Sequence, residues 1–335
     1  MNLNGAPLLE VEGLSKHFED RRVAADRLRG RRAARLTALD GVSLTVRRNE
    51  TVGIVGESGS GKTTLARCIV RLVEADGGSV AFDGADVLAA DARELRRIRR
   101  EVQLIYQDPY SSLNPRMSVG RAISEPALVH RLIEPDAAER HRAELLERVG
   151  LPSSAAALRP HELSGGQRQR VAIARSLALN PRMLVADEAV SALDVSIQAQ
   201  ILALLERLTR ELGLAMIFIS HQLSVIARLS QRVAIMYLGR IVEIGPTAEV
   251  FSNPRHPYTA ALLRAHPTLE LDKPRAPALA GEIPSPYHMP EGCRFHPRCP
   301  LVEERCRTVD PPPVDLGGGR RSWCHVLPYR SDQPP

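Results

Sequence analysis

Aromatic side chains are scarce in this sequence, at 4% of its residues, with a single tryptophan. A chain so poor in rings offers no stacking platform of the kind that binders of single-stranded nucleic acid use. It also lacks any apolar run near the roughly 20 residues that a membrane-spanning helix needs. Met1 to Glu10 has neither a basic start nor a long apolar core, so no secretory signal is read there. These absences predict a protein kept in the cytosol, still able to dock onto a membrane protein. Lysine is rare beside arginine, and the net charge is +6. Such a balance suits nucleic acid, acidic headgroups or nucleotide. The arginines are spread along the chain, and the local clusters at 27–35 and 93–100 read as solvated faces. No nucleic-acid partner is expected.

Hydrophobic content of 44% and charged content of 25% are ordinary for a globular protein. The length of 335 residues admits one large domain with an appendage, or two domains.

What is present centres on Gly56-Glu57-Ser58-Gly59-Ser60-Gly61-Lys62-Thr63-Thr64. The stretch fits the phosphate-cradling pattern G-x-x-x-x-G-K-[ST], and the pattern carries meaning only between a strand and a helix. Thr51 to Val55 reads as a buried strand and Leu65 to Leu72 as a helix, so that context is met. Glycines let the backbone wrap an anion and aim successive N–H groups at it, helped by the helix N-terminus. Lys62 would reach the β- and γ-phosphates, and the Thr63 hydroxyl would sit on Mg²⁺. The bland alternative is a glycine-rich turn.

Around this loop the pattern alternates between strand and helix. Leu8 to Phe18 and Ala38 to Val46 alternate apolar with polar, as half-exposed strands do. Phe18 could stack on an adenine ring or be an ordinary edge aromatic. A hairpin-like stretch spans Asp76 to Gly84, a charged helix Asp91 to Arg100, and a strand Val102 to Gln107. Pro109 to Leu163 reads as a helical insertion broken by prolines. Met183 to Glu188 is an apolar strand ending in two carboxylates, Ile197 to Leu212 an amphipathic helix, and Leu214 to Ser220 a strand that ends at His221. Two short strands flank Leu238-Gly239-Arg240. The alternation predicts an α/β fold with a mainly parallel sheet and helices on both faces.

Asp187 can hold Mg²⁺ through its hydration shell, and Glu188 can polarise the water that attacks a γ-phosphate. Leu163-Ser164-Gly165-Gly166-Gln167 opens a helix with Ser164 as N-cap, exposing N–H groups at the positive end of the dipole. It reads as a second anion site, which a chain with one phosphate loop needs only if two sites are shared across a dimer.

Together and in order, Gly56–Thr64, Gln107, Leu163–Gln167, Met183–Glu188, Ser191-Ala192-Leu193-Asp194 and His221 resemble the ATP-binding subunit of an ABC transporter, over about residues 8 to 250. The resemblance implies a P-loop NTPase fold with an antiparallel β subdomain, a helical signature subdomain and a C-terminal extension. It implies two ATPase subunits closing head to tail on two ATP molecules. Ser164, Gly165, Gly166 and Gln167 would then contact ATP held by the other subunit. Glu188 would be the catalytic base, His221 a bridge to the γ-phosphate, and Gln107 a sensor of Mg²⁺ and the attacking water. Asp194 would link the two sites, and Phe18 takes the adenine-stacking position. Two positions depart from the family pattern: Ala189 stands where proline is usual, and Gln222 where aspartate is frequent.

The sequence divides at about residue 250 into the ATPase domain, with its helical subdomain at about 109–175, and an extension over 251–335. Asn253 to Leu263, Gly281 to Pro286, Gly292 to Pro300 and Tyr110 to Pro115 resemble the oligopeptide/dipeptide importer branch. That implies paired transmembrane permease subunits, an extracytoplasmic solute-binding protein, and a place on the cytoplasmic face of the cell membrane. The partner ATPase subunit would be a second copy or a similar chain.

Cys293, Cys299, Cys306 and Cys324 lie in the extension, whereas Cys68 reads as a small buried packing residue. In a reducing cytosol they are poor candidates for disulfides. Four thiolates suit zinc or an iron–sulfur cluster, and the branch resemblance favours a 4Fe-4S cluster. His296 and His325 keep zinc open, and unmetallated thiols are the third reading. Two rivals to transport stand beside this: an ATPase of the same superfamily working in DNA repair or translation, and a metal- or redox-sensing regulator.

Overall fold

The computed structural model describes residues 6–19, 35–108, 112–191, 193–265 and 281–326. The arginines between 27 and 34, together with Pro109, Tyr110, Ser111 and Ala192, lie outside them.

The chain begins with β1 (Leu9–Glu19), β2 (Arg35–Val46) and β3 (Thr51–Val55), then helix α1 (Lys62–Ile69). β4 (Gly77–Phe82), β5 (Ala85–Asp86), α2 (Ala92–Glu101) and β6 (Val102–Ile105) follow. A helical layer comes next: α3 (Val119–Val129), α4 (Ala138–Arg148) and α5 (Gly165–Leu177). The central elements close with β7 (Met183–Asp187), α6 (Val195–Leu212), β8 (Ala215–Ile219), α7 (Leu223–Leu229), β9 (Arg232–Tyr237) and β10 (Arg240–Pro246). Beyond them lie α8 (Thr247–Ser252), α9 (Pro257–Ala265), β11 (Pro313–Asp315) and β12 (Arg321–Trp323).

Two sheets result. β2-β1-β4-β5 is antiparallel throughout. The larger runs β11-β12-β10-β9-β3-β8-β7-β6, and its five strands from β9 to β6 are parallel. β3, β7 and β8 are buried at every position, the mark of parallel strands covered on both faces. Alternate residues then enter opposite cores. Val55, Leu184, Met216 and Phe218 join the α5 and α6 side chains Val171, Ile173, Ile201 and Leu205. Ile54, Met183, Val185 and Ile217 join Leu65 and Ile69 of α1 and the inner face of the antiparallel sheet. Cys68 is fully buried there, as its size predicts.

Three details depart from the sequence reading. The arginine cluster on α2 is not wholly solvated: Arg99 is partly buried and donates to the Val70 and Arg71 carbonyls at 3.0 and 2.6 Å, satisfying the end of α1. Pro126 does not end its helix but sits inside α3. It denies the Ala122 carbonyl an N–H partner, and the helix stops one turn later at His130. The third concerns the tail, whose β12 pairs with β10 (Glu243 opposite Ser322), so the larger sheet grows by two strands from the chain after residue 300.

Candidate nucleotide site

Because β3, β8, β7 and β6 are parallel neighbours, their carboxyl ends line one edge of the sheet. In open α/β sheets that edge is where ligands bind. It carries Gly56 after β3, His221 after β8, Asp187 and Glu188 at β7, and Gln107 after β6.

The loop from Gly56 to Gly61 folds tightly against the core. A Cβ on Gly56 would stand 2.1 Å from the Met236 carbonyl, so only glycine fits. Gly61 takes φ 102 as the N-cap of α1, and a Cβ there would meet the Ala38 carbonyl at 2.3 Å. Ser58 and Gly59 face solvent, Ser60 is buried, and Thr64 lies on the first turn of α1. Lys62 is 5% exposed, and its Nζ donates to the Gly56 and Glu57 carbonyls at 2.8 and 2.9 Å. Burial lowers its pKa, while the charges of Glu188, Asp187 and Glu57 oppose that shift.

Thr63 Oγ1 donates to Asp187 Oδ1 at 3.1 Å. Asp187 is buried, which raises its pKa against the Thr63 bond, and the neighbouring Glu188 charge pushes the same way as burial. Glu188 sits at φ 48, a left-handed conformation that costs a non-glycine residue about 1–2 kcal/mol. Its N–H donates to the Ile219 carbonyl at 3.0 Å, and Ser191 holds its carbonyl through N–H and Oγ, each at 3.0 Å. This backbone aims the carboxylate at two partners: Gln107 Nε2, which donates at 2.9 Å, and His221 Nδ1, 3.7 Å away. Gln107 thus stands on Glu188 rather than on the Thr63–Asp187 pair. The two positions that depart from the family pattern sit close by: Ala189 is buried, and Gln222 caps α7 while its N–H donates to Ser220 Oγ at 3.0 Å.

The Ser164 group occupies another place. Ser164 caps α5 and shares a reciprocal box with Gln167: Oγ accepts from Gln167 N at 3.3 Å, and Gln167 Oε1 accepts from Ser164 N at 2.9 Å. Gly165 lies against Leu193, and Gly166 packs so closely on α6 that a Cβ would stand 2.4 Å from Ile197 Cγ2. Among the described residues no hydrogen bond or ion pair joins Ser164–Gln167 to the phosphate loop. Asp194 caps α6 through Ile197 N at 3.0 Å and Ser196 Oγ at 2.8 Å. Phe18, near the end of β1, is 39% exposed, with Lys16 Nζ 5.4 Å from its ring centre.

A hydroxyl beside a carboxylate is a hard-oxygen donor set, and Mg²⁺ is held by one or two carboxylates together with substrate phosphates. Thr63 and Asp187 fit that ion. The four tail cysteines do not form a comparable set. Among the described residues no three His, Cys, Asp or Glu side chains gather as a group able to hold a metal ion. All four are free thiols. Burial, reinforced by the neighbouring thiols, pushes Cys299 up to about 11 and Cys324 up to about 12. Among the described residues, then, no metal-binding group supports the expected iron–sulfur ligand set or the zinc alternative.

Two residues at the site had no signal in the sequence. Tyr258 and Arg298, both from the extension, touch Glu57 in the phosphate loop. Their segments stood out by family likeness, but nothing in their spacing indicates that contact.

Comparison with known proteins identifies the family. Residues 39–191 match the ABC transporter family, and residues 242–306 match the oligopeptide/dipeptide transporter C-terminal region. A probable peptide ABC transporter ATP-binding protein of Sinorhizobium fredii is 48% identical over 95% of this chain and 90% of its own length. A putative peptide import ATP-binding protein of Brucella ovis is 46% identical over 95% of this chain and 97% of its own. Among solved structures, the dimeric post-hydrolysis state of an ATP-binding cassette bound to ADP and Pi superposes with a TM-score of 0.63 at 27% identity, covering 71% of this chain and 98% of that one. Clostridium perfringens cbiO1, part of the ABC transporter complex cbiONQ, gives the same score and identity over 74% of this chain and 92% of its own. The chain belongs to the ABC transporter ATP-binding family and carries the C-terminal region of its oligopeptide/dipeptide branch.

Proposed function

We propose that this chain hydrolyses ATP to power import of peptides, or of a related solute such as a nickel chelate, through an ABC transporter. The observation that carries the reading is the meeting of Thr63 with Asp187 and of Gln107 and His221 with Glu188, beside the Gly56–Thr64 loop.

In this reading the loop N–H groups and Lys62 hold the ATP phosphates. Thr63 and Asp187 would hold Mg²⁺, which would neutralise phosphate charge. Glu188 takes the proton of the attacking water, while Gln107 keeps its carboxylate oriented and His221 reaches the γ-phosphate. Ser164, Gly165, Gly166 and Gln167 serve in trans, facing ATP held by a second ATPase subunit, a copy of this chain or a similar one. Asp194 connects the two sites, and Phe18 stacks on adenine. No described helix is long and apolar enough to cross a membrane. In this reading two permease subunits carry the solute across. A groove of about 270 Å³ lined by Leu72, Tyr106, Pro126 and Leu179 next to Gln107 suits a permease segment. The chain works peripherally on the cytoplasmic face, and a solute-binding protein delivers the solute from outside. The four tail thiols are the donors a 4Fe-4S cluster would use. Iron and acid-labile sulfide analysis of anaerobically purified protein decides for or against it.

The functional test is peptide uptake into liposomes holding this chain with its permease subunits. Uptake should follow ATP hydrolysis and stop in Glu188→Gln, which should still bind ATP. Undiminished turnover in that variant would remove Glu188 from the base role, and hydrolysis with no peptide uptake would sink the peptide assignment.

A further inference from the structure

The phosphate loop is gripped by chain that lies more than 200 residues after it. Glu57 N donates to Tyr258 Oη at 3.0 Å, across a separation of 201 residues. The Arg298 guanidinium, 241 residues away, takes both oxygens of the Glu57 carboxylate at 2.9 and 3.1 Å. The Arg298 side chain is only 4% exposed, and Nη1 also reaches Tyr237 Oη at 3.3 Å. With Lys62 Nζ on its carbonyl, Glu57 is engaged at its N–H, its carbonyl and its carboxylate.

The same tail segment reaches the loop by a second route. Arg294 donates to the Leu238 carbonyl and to the Asp40 carboxylate. The next residue, Gly239, donates its N–H to the Ser60 carbonyl at 2.9 Å and accepts from Asp40 N at 2.9 Å. Between the two arginines, Phe295 packs its ring 5.4 Å from both Tyr237 and Tyr258. One short piece of the extension, 293–299, therefore bears on both ends of the Glu57–Ser60 arc.

We propose that this segment braces the phosphate loop for ATP, with Arg298 as a positioning residue that acts through Glu57. The inference rests on the nucleotide reading of Gly56–Thr64. Two physical effects support it. A loop with three glycines is intrinsically loose, and ordering it before the ligand arrives removes that cost from binding. The Glu57 carboxylate also lies within electrostatic reach of Lys62. Left unpaired, it would oppose the polyphosphate that Lys62 attracts, and Arg298 cancels it with a bidentate pair.

Equilibrium binding of Mg-ATP to the full-length chain, with melting temperature recorded alongside, tests this. Arg298→Met should weaken ATP binding about tenfold, the scale of coupling between adjoining sites. Adding Glu57→Gln to it should restore binding to within about threefold of the wild type, because no unpaired carboxylate remains. Wild-type affinity in Arg298→Met, or a double variant no better than the single one, overturns the proposal even if the melting temperature falls. Should Arg298→Met not fold, Tyr258→Phe decides, since it keeps the ring and deletes only the acceptor for Glu57 N. It should cost about threefold in affinity, the worth of one hydrogen bond, and unchanged affinity overturns the brace. A wild-type chain that binds no ATP would instead bring down the nucleotide reading itself.

Discussion

Gln107 Nε2 donates to Glu188 Oε2 at 2.9 Å, tying the end of one parallel strand to the end of its neighbour. Removing the amide in Gln107→Ala leaves the Glu188 carboxylate, among the described residues, with His221 at 3.7 Å. Turnover should fall by about tenfold or more while ATP binding persists, because general-base work depends on orientation. Phosphate release and equilibrium nucleotide binding, measured on the same preparation, check this. A parallel loss of binding would place Gln107 on the nucleotide instead.

Gly166 leaves no room for a side chain, since a Cβ would stand 2.4 Å from Ile197 Cγ2. Gly166→Ala should destabilise the chain by about 1–3 kcal/mol through overpacking of α5 on α6. Ile197→Ala removes the clashing methyl, so the double variant should recover part of that loss. Urea denaturation separates the cases, and purely additive losses would refute the packing argument.

The Glu243 carboxylate is fully buried on β10, where it accepts from Arg255 N at 3.0 Å, His256 N at 2.9 Å and Arg320 Nη2 at 2.7 Å. Arg320→Met strands a buried charge and should cost about 3–5 kcal/mol. Combining it with Glu243→Gln neutralises the site and should recover much of that loss. A single variant as stable as the wild type would mean that water reaches Glu243.

His256 is wholly buried, and burial drives its pKa from 6.5 down to about 3. Its Nδ1 accepts from Tyr258 N at 3.0 Å, which a neutral ring can do. Only the unfolded chain takes up this proton between those two values, so folding loses stability as pH falls below about 6.5. By pH 5 the loss is about 2 kcal/mol from this group. His256→Gln should be less stable than the wild type at pH 8 and close that gap by pH 5. A gap that stays constant with pH would show the ring to be accessible to protons in the fold.

Much of the site was legible in the sequence because its parts are local. The phosphate loop needs glycines and a lysine at set spacing between one strand and one helix, and all of these lie within a short run. The Ser164 cap of α5 is likewise local, a contact with Gln167 three residues on. The strand ends at Asp187 and Ile219 follow from apolar runs that give way to polar residues.

The tertiary structure decided what those parts meet. The sheet order β3-β8-β7-β6 brings Gln107, Glu188 and His221 together, and strand order is a long-range choice that local periodicity does not encode. The left-handed turn at Glu188 is imposed by Ile219 and Ser191, because nothing in a glutamate favours it. The four tail cysteines read as one ligand set by residue type and branch resemblance; the fold brings them near one another, yet no group able to hold a metal ion is found among the described residues. Nor did composition tell that the extension would complete the larger sheet at β12 and reach Glu57 with Arg298. Ion pairs between residues 241 apart are selected by the packing that brings their segments together. The sequence by itself determined which chemistry the chain can perform, and the fold determined which distant residues hold that chemistry in place.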